Sequence, residues 1–306
     1  MRSVLVVGES LVDVVLHPDG SVREHVGGSA ANVAVAVARL GVPVRLATAF
    51  GDDEHGRMIT DRLRSDGVGL ASEPLVVART STAVARLAED GSASYEFDLD
   101  WRLGPVEPDE VGGGPSAVHV CSIGALLEPG ATAVAEVVRG AGARATISYD
   151  INLRPAITGT GPDVVRRVEA LASQAAVVKA SDEDLEQLYP GRSADDSAAA
   201  LRALGSRAVV VTRGGAGASA WTGCGRVDVP SPRVTVADTI GAGDTFMAGL
   251  LVALADRDLL GAVHAEDLGA LEADEWAQVL GFAAAAAART VGRPGADPPT
   301  RAELAG

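Results

Sequence analysis

Residues 238–246 combine a turn of small residues with a carboxylate at the start of a predicted helix. Their sequence is Asp-Thr-Ile-Gly-Ala-Gly-Asp-Thr-Phe, and an apolar helix is predicted to begin at residue 242. Small residues before a helix let backbone N–H groups converge, and the helix N-terminus adds roughly half a positive charge, so the segment can hold an anion without a lysine. Asp244 then lies beside the anion, where it can accept a proton from an attacking hydroxyl. An aspartate that only favours a helix start is the alternative interpretation.

A second segment, residues 27–34, offers groups that suit a polyhydroxylated ligand. Its sequence is Gly-Gly-Ser-Ala-Ala-Asn-Val-Ala. Adjacent glycines at a helix start allow a ligand to approach the backbone closely. Asn32 supplies a donor and an acceptor, which suits a sugar hydroxyl. A capping turn without a ligand would explain the same residues.

The composition excludes several classes of function. The chain has 306 residues, of which 47% are hydrophobic and 22% charged, as in soluble globular proteins. Its formal net charge of −15, without a run of basic residues, argues against nucleic acid and anionic membranes as partners. The longest apolar stretches, near 246–255 and 282–288, are shorter than the roughly 20 residues that a bilayer requires. No signal peptide is recognisable, so a cytoplasmic location is expected.

The positions of lysine, cysteine and histidine argue against several further kinds of site. Lys179 is the only lysine, and it follows a valine, whereas a Walker-type phosphate loop needs Gly-Lys-Ser/Thr. Cys121 and Cys224 are too far apart in sequence to suggest a zinc knuckle or a redox pair. The five histidines lack His-x-x-x-His spacing, so no zinc site is predicted.

Short β-branched runs alternate with longer helical patterns, which is typical of an α/β fold with a mostly parallel central sheet. The predicted strands of that sheet are residues 3–7, 44–49, 117–121, 146–149, 176–179 and 208–212. The predicted helices are residues 30–40, 56–65, 132–140, 161–173, 181–188, 197–204, 242–255 and 276–290. A further strand is predicted at residues 233–236, immediately before the anion-binding segment.

Two predicted hairpins interrupt this alternation. Residues 82–99 contain period-two runs joined by Glu89-Asp90-Gly91, and Asp-Gly is a strong hairpin signal. Residues 11–26 form a similar pattern around Asp19-Gly20. Neither pattern fits a buried parallel strand, so both are predicted to form a small β-sheet, with boundaries of about 11–26 and 78–103. This sheet is either a lid over a pocket or a surface ornament.

A loose dinucleotide fingerprint occurs at residues 215–220, but its context is wrong. Residues 218–221 and 226–229 have the pattern of a third β-hairpin. The fingerprint requires a helix N-terminus after the glycines, so NAD binding is not expected.

Together, the segments 27–34 and 238–246 resemble the two signature motifs of the ribokinase-like (PfkB) family of carbohydrate kinases, in the order that the family has them. Residues 8–13, Gly-Glu-Ser-Leu-Val-Asp, resemble the family's first strand and its sugar-binding aspartate. The resemblance covers essentially the whole chain. It implies one kinase domain over residues 1–306, built as a three-layer α/β sandwich with a β-sheet lid.

Three further segments indicate the branch of this family. Residues 150–154, Asp-Ile-Asn-Leu-Arg, resemble a stretch of the fructokinase and 2-keto-3-deoxygluconate kinase branches. Residues 211–217 resemble the glycine turn on the nucleotide side, and residues 293–300 resemble a fructokinase-type tail. The resemblance therefore favours fructose as substrate. The open alternatives are 2-keto-3-deoxygluconate, ribose or a nucleoside and, in a different class, a non-catalytic sugar-sensing relative.

The resemblance implies ATP-dependent phosphorylation of a primary hydroxyl on a small carbohydrate, with Asp244 as the base. The backbone amides implied to stabilise the transferred phosphoryl group belong to Gly241, Ala242 and Gly243. The residues implied to contact the sugar are Asp13, Gly28, Asn32, Arg154 and Asp244. The residues implied to contact the nucleotide are Lys179, Ser181, Thr212, Gly214, Gly217, Gly241 and Gly243.

Two cation sites and the partners follow from the same resemblance. Magnesium would bridge the phosphates, and a monovalent cation such as potassium would be held by Asp238 and the Ile240 carbonyl. The family often has Asn-x-x-Glu near the magnesium, whereas this chain has Ser181 and Asp184 at those positions. Asp184 is thus a candidate magnesium ligand, although a capping box explains the pair equally well. Sugar and ATP are the expected partners, and the free edges of the small sheet predict a homodimer through the lid.

Overall fold

A computed structural model of the chain describes residues 2–88, 92–107 and 114–305. The predicted hairpin turn at residues 89–91 lies outside this range. The strands are β1 (Val4–Val7), β2 (Leu11–Leu16), β3 (Val22–Gly27), β4 (Val44–Ala47), β5 (Gly69–Leu70), β6 (Thr82–Leu87), β7 (Ala93–Asp98), β8 (Ala117–Cys121), β9 (Thr146–Asp150), β10 (Val177–Ser181), β11 (Ala208–Thr212), β12 (Ala218–Thr222) and β13 (Gly225–Val229). The helices are α1 (Ser29–Arg39), α2 (Glu54–Ser65), α3 (Gly130–Ala141), α4 (Pro155–Thr158), α5 (Pro162–Ala172), α6 (Asp182–Leu188), α7 (Ala194–Ala203), α8 (Ala242–Asp256), α9 (Ala265–Gly269), α10 (Ala273–Val291) and α11 (Arg301–Ala305).

The central sheet confirms the predicted α/β class. In the described part of the chain it has nine strands in the order β13-β12-β11-β10-β9-β8-β1-β4-β5. Its strands pair in parallel except at β11–β12 and β12–β13, which are antiparallel. The carboxyl ends of β1, β8, β9, β10 and β11 therefore lie along one edge, where ligands bind in sheets of this type.

Apolar side chains of the central strands point alternately to the two faces of the sheet, and helices cover each face. On β1, Val4 and Val6 join the cluster that contains α1, α8 and α10, whereas Leu5 and Val7 join the cluster that contains α3, α5 and α7. The result is the three-layer sandwich that the resemblance implied. The six-alanine run lies within α10, and the close approach of Gly249 on α8 to Ala283 requires such small side chains.

The two predicted hairpins form a separate four-stranded sheet, in the order β3-β2-β6-β7. The pairs β2–β3 and β6–β7 are antiparallel, and a parallel pair between β2 and β6 joins the hairpins. The strand boundaries lie within one residue of the predicted runs 11–16, 21–26, 82–88 and 92–99. A mostly parallel main sheet with a small separate sheet is the predicted fold, and it is confirmed.

The strand predicted at residues 233–236 was wrong. This segment is exposed and irregular, and β13 ends at Val229. Pro230 and Pro232 follow immediately, and proline cannot donate the backbone hydrogen bond that strand pairing needs. The chain is tethered instead to the end of α10, where Ala237 N and Asp238 N both donate to the Val291 carbonyl.

Residues 218–222 form β12 rather than a helix, so the glycines before them lack the context of a dinucleotide fingerprint. Among the described residues, no helix is both long and apolar enough to cross a membrane.

Candidate active site

The turn before α8 has the geometry that the predicted anion-binding segment requires. Gly241 is the N-cap of α8 and has φ +73°, a left-handed conformation that favours glycine. A Cβ at this position would lie 2.7 Å from the Cβ of Ala296, so glycine is also required by space. The first N–H groups of a helix lack intrahelical partners. Gly243 N, at the second helical position, is the candidate amide for an anion, because Ala242 N already donates to the Thr239 carbonyl oxygen at 3.3 Å.

Asp238 braces this turn from the other side. Its Oδ1 accepts a hydrogen bond from Ile240 N at 3.0 Å, and its Oδ2 accepts one from Gly295 N at 2.9 Å. The carboxylate thus links the anion-binding turn to the tail segment 293–296. This contact gives the tail motif a structural role that the sequence did not reveal.

Asp244 is buried in the first turn of α8, where two side chains from α1 hold its carboxylate. Its side chain is only partly accessible, with a residue exposure of 7%. Ser29 Oγ donates to Asp244 Oδ1 at 2.7 Å, and Asn32 Nδ2 donates to Oδ2 at 2.9 Å. The structure therefore brings together the two segments that were singled out in the sequence. Ser29 lies inside one of them but was assigned no role.

Glu9 is a second buried carboxylate near Asp244. Its Oε1 accepts from Ser29 N and its Oε2 from Gly124 N, both at 2.9 Å. Burial, with a smaller contribution from the charge of Asp244, raises the pKa of Glu9 to about 7, although the two backbone N–H donors oppose the shift. The signal for this residue was its place in the motif at residues 8–13, directly after a buried strand.

Asp13 on the small sheet and Arg154 in the segment after β9 lie close enough to interact electrostatically. Burial raises the pKa of Asp13, on β2, to about 6, while the positive charges of His25 and Arg154 oppose this shift. Arg154, after β9, donates through Nη1 to Asn152 Oδ1 at 2.7 Å. A Cβ on Gly27 would lie 2.1 Å from Asp13 Oδ2, so the carboxylate rests against bare backbone.

Gly28 meets a comparable constraint at the start of α1. Its φ is +96°, and a Cβ there would lie 2.6 Å from the Glu9 carbonyl oxygen. The glycine pair is therefore required by the backbone and by close packing. These constraints explain the motif whether or not a ligand also approaches it.

Lys179 forms a fully buried ion pair beneath α8. Its Nζ lies 2.7 Å from Asp150 Oδ2, and the two side chains are 4% and 0% exposed. Burial raises the pKa of Asp150 to about 6, and the positive charge of Lys179 opposes this shift. Burial also opposes the charge of Lys179, but the neighbouring Asp150 leaves the pKa of the ammonium above its usual value. The ammonium group lies 3.5 Å from the position that a Cβ on Gly243 would occupy.

Ser181 and Asp184 form the capping box that was the structural alternative to metal binding. Asp184 N donates to Ser181 Oγ at 3.0 Å, and Ser181 N donates to Asp184 Oδ2 at 2.7 Å. Asp184 Oδ1 also accepts from Leu153 N at 2.7 Å. Among the described residues, no group of three or more His, Cys, Asp or Glu side chains could hold a metal ion. A cation here would therefore need most of its ligands from water or phosphate.

The predicted nucleotide-side residues lie at the carboxyl ends of β10 and β11. Ser181 and Thr212 are paired across these neighbouring strands. Gly214 and Gly217 follow with φ of +48° and +95°, and a Cβ on Gly217 would lie 2.1 Å from the Val229 carbonyl oxygen. The turn therefore brings bare backbone to the edge of the sheet beside Ser181.

The sequence model of the pfkB family of carbohydrate kinases matches residues 1–303 of this chain. The chain belongs to this family. A pfkB carbohydrate kinase transfers a phosphoryl group from ATP to a sugar, and this chain is accordingly an ATP-dependent sugar kinase. The arrangement of a carboxylate at a glycine-rich helix start agrees with this activity.

Similar members of the family include a fructokinase and a riboside kinase. The chain is 35% identical to a fructokinase of Rhizobium leguminosarum bv. trifolii over 269 residues, which cover 84% of this chain and 81% of the relative. It is 31% identical to an aminoimidazole riboside kinase of Salmonella typhimurium over 262 residues, which cover 83% of this chain and 81% of that kinase.

Solved structures with the same fold include two fructokinases. One is the Xylella fastidiosa enzyme with bound ATP, which aligns with a TM-score of 0.87 at 29% identity and covers 99% of this chain and 97% of its own. The other is a double mutant of the Vibrio cholerae enzyme with fructose, ADP and a potassium ion, which aligns with a TM-score of 0.80 at 26% identity and covers 100% and 97%.

Proposed function

We propose that this pfkB kinase transfers the γ-phosphoryl group of ATP to a primary hydroxyl of fructose. The observation that carries the proposal is the position of Asp244, held by Ser29 and Asn32 at the amide-rich start of α8. The similarity to fructokinases from Rhizobium and Xylella supports fructose as the substrate.

In the proposed reaction, Asp244 removes the proton of the sugar hydroxyl as its oxygen attacks the γ-phosphorus. The new O–P bond forms while the bond from phosphorus to the β,γ-bridging oxygen breaks, so that ADP leaves. The amides of Gly241, Ala242 and Gly243 face the negative charge that develops on the transferred group. Because backbone amides need no counter-charge, this anion site is compatible with the acidic composition of the chain.

The sugar would be held between the two sheets. Asp13 on the small sheet interacts electrostatically with Arg154, which precedes α4, and Asn32 donates a hydrogen bond to the base. An acidic Asp13 favours a neutral polyol over a sugar acid, because a substrate carboxylate would be repelled by it. The small sheet then acts as a lid that closes over the sugar.

The nucleotide would lie along the edge formed by Ser181, Thr212, Gly214 and Gly217, with Lys179 below its phosphates. When bound with the nucleotide, magnesium neutralises charge on the phosphates. The carboxylate of Asp184 would orient its water ligands, since both carboxylate oxygens already accept backbone hydrogen bonds. Removal of Mg²⁺ with EDTA should abolish turnover, and added Mg²⁺ should restore it.

A monovalent cation at Asp238 and the Ile240 carbonyl is part of the proposal. The potassium ion in the Vibrio cholerae fructokinase structure supports it. Asp238 braces the anion-binding turn, so a cation beside it would stabilise the same turn. Replacing KCl with tetramethylammonium chloride should lower kcat, whereas equal activity in the two salts would remove the cation from the proposal.

The substrate is tested by ATP consumption with fructose, 2-keto-3-deoxygluconate, ribose, adenosine and aminoimidazole riboside. Fructose should give the highest kcat/KM. A higher value with the riboside would support the second candidate, which the 31% identical riboside kinase favours. ATP binding without turnover on any acceptor would instead indicate a sensor.

The catalytic assignment is tested by Asp244→Asn. Loss of the base should lower kcat at least ~10²-fold while ATP still binds, because a positioned base contributes about that much. Asp274→Asn is the matched control, since Asp274 is an exposed aspartate in the first turn of α10. Turnover like the unmodified enzyme in the Asp244 variant would end the assignment.

The edges of the small sheet would pair in a homodimer, which sedimentation velocity can detect as twice the monomer mass. A cytoplasmic location, where ATP and free sugars are available, remains the expectation from the sequence.

A further inference from the structure

Four residues are joined by hydrogen bonds into a network that ends on Asp244. They come from four separate segments, and they are Glu9, Ser29, Ser122 and Asn152. Asn152 Nδ2 donates to Ser29 Oγ at 3.0 Å, and Ser29 Oγ donates in turn to Asp244 Oδ1 at 2.7 Å. The network therefore ends on the carboxylate that we assign as the base.

The directions of these hydrogen bonds determine where the Ser29 hydrogen points. A serine hydroxyl has one hydrogen to donate and two lone pairs with which to accept. Because Asn152 donates to the Ser29 oxygen, the single hydroxyl hydrogen is left for Asp244. Asn152 thus orients Ser29, and Ser29 holds one oxygen of the carboxylate while Asn32 holds the other.

The backbone of Ser29 is fixed independently of its side chain. Glu9 accepts from Ser29 N and from Gly124 N, and so ties the first residue of α1 to the turn after β8. Ser29 is 7% exposed. Its hydroxyl is engaged by Asp244 and by Asn152.

Backbone strain is concentrated at the far end of the network. Three non-glycine residues in the described part of the chain have positive φ, and two of them are Asn152 at +39° and Ser122 at +52°. These two are joined, since Ser122 Oγ donates to the Asn152 carbonyl oxygen at 3.0 Å. A left-handed conformation costs free energy for such residues, and it persists where surrounding contacts enforce it.

We propose that Ser29 is a positioning residue for Asp244, and that Asn152 acts through Ser29. Hydrogen bonds to a charged carboxylate are strong and directional, so Ser29 prevents the Asp244 carboxylate from rotating away from the sugar hydroxyl. The inference rests on the proposed role of Asp244 as the base. It adds two residues whose effect is on the rate of phosphoryl transfer rather than on sugar binding.

The first test is Ser29→Ala, assayed with fructose and saturating Mg·ATP. Loss of one hydrogen bond to the charged base should lower kcat about 10- to 100-fold. The KM for sugar should change less than about threefold, because the hydroxyl bonds to Asp244 and Asn152 and is assigned no contact with the sugar. Ser72→Ala is the matched control, since it removes a buried serine hydroxyl that bonds to the Thr48 backbone. It should retain kcat.

The second test, Asn152→Gly, separates the side chain from the strained backbone. Glycine adopts positive φ readily, so this variant should keep the backbone conformation while it loses the side-chain hydrogen bonds to Ser29 and Arg154. Its kcat should nevertheless fall, because Ser29 loses its donor. In the double variant with Ser29→Ala, kcat should equal that of Ser29→Ala alone, since Asn152 acts through Ser29.

The outcomes distinguish this inference from the proposed function. If Asp244→Asn is inactive but Ser29→Ala keeps its kcat, or loses only sugar affinity, the positioning role is refuted and the base stands. Multiplicative losses in the double variant would also refute it. If Asp244→Asn remains active, the proposed base fails first, and any effect of Ser29→Ala then has another origin.

Discussion

Lys179→Met provides a sharp test of the ion pair beneath the anion-binding turn. The variant leaves Asp150 buried and without its cation, and the Asp150 Oδ1 atom already has no hydrogen-bond partner among the described residues. Removing one partner of a buried pair costs about 3–5 kcal/mol. A matched control is Arg64→Met, which breaks an exposed pair on α2 with 78% of each side chain accessible and should change stability by less than about 1 kcal/mol.

The sign of the pH dependence follows from the pKa of Asp150. Burial raises that pKa to about 6 while Lys179 lowers it, so the variant should hold the proton to a still higher pH. A raised carboxyl pKa means that the folded state binds the proton more tightly than the unfolded state, and stability falls as pH rises through this window. The cost of Lys179→Met should therefore be largest at pH 8 and small at pH 5.

Urea unfolding at pH 5 and pH 8 measures both effects. The double variant with Asp150→Leu should recover most of the lost stability, because apolar residues can replace a buried pair. Its kcat should stay low if the ammonium group acts on the phosphates above it. A Lys179→Met enzyme within about 1 kcal/mol of the original at pH 8 would refute the argument. A fully active double variant would remove Lys179 from the nucleotide site.

Three other predictions follow from single contacts. In the unmodified enzyme, the unfolding free energy should decline between pH 4.5 and 7, because burial raises the pKa of the Glu9 carboxyl from 4.5 to about 7. Glu9→Gln removes this carboxyl and should reduce that decline by roughly 3 kcal/mol. An unchanged pH dependence in urea unfolding would contradict this. Asp184→Ala should lower stability by about 1–2 kcal/mol in the same assay, since two backbone N–H groups lose their acceptor. Gly241→Ala should lower kcat, because the added Cβ would displace the anion-binding turn from Ala296. An unaltered kcat would show that the turn does not bind the phosphoryl group.

The small sheet shows how far pattern alone reaches. Each hairpin was predictable, because period-two runs and an Asp-Gly or similar turn specify a local structure. The parallel pair of β2 with β6, which joins the hairpins, was not predictable in detail because it links residues about 70 positions apart in sequence. At residues 233–236 the pattern failed, since a strand needs a partner and two prolines prevent one.

The sequence by itself determined the α/β class, most strands and helices, and the two segments that meet around the proposed base. Those features depend on local periodicity, turn chemistry and helix starts, which neighbouring residues specify. Only the tertiary structure decided which donor holds which carboxylate. Ser29 meets Asp244 across 215 positions, and Lys179 meets Asp150 on an adjacent strand. Such contacts depend on strand order and helix packing, and a residue's own surroundings in the sequence carry no record of them.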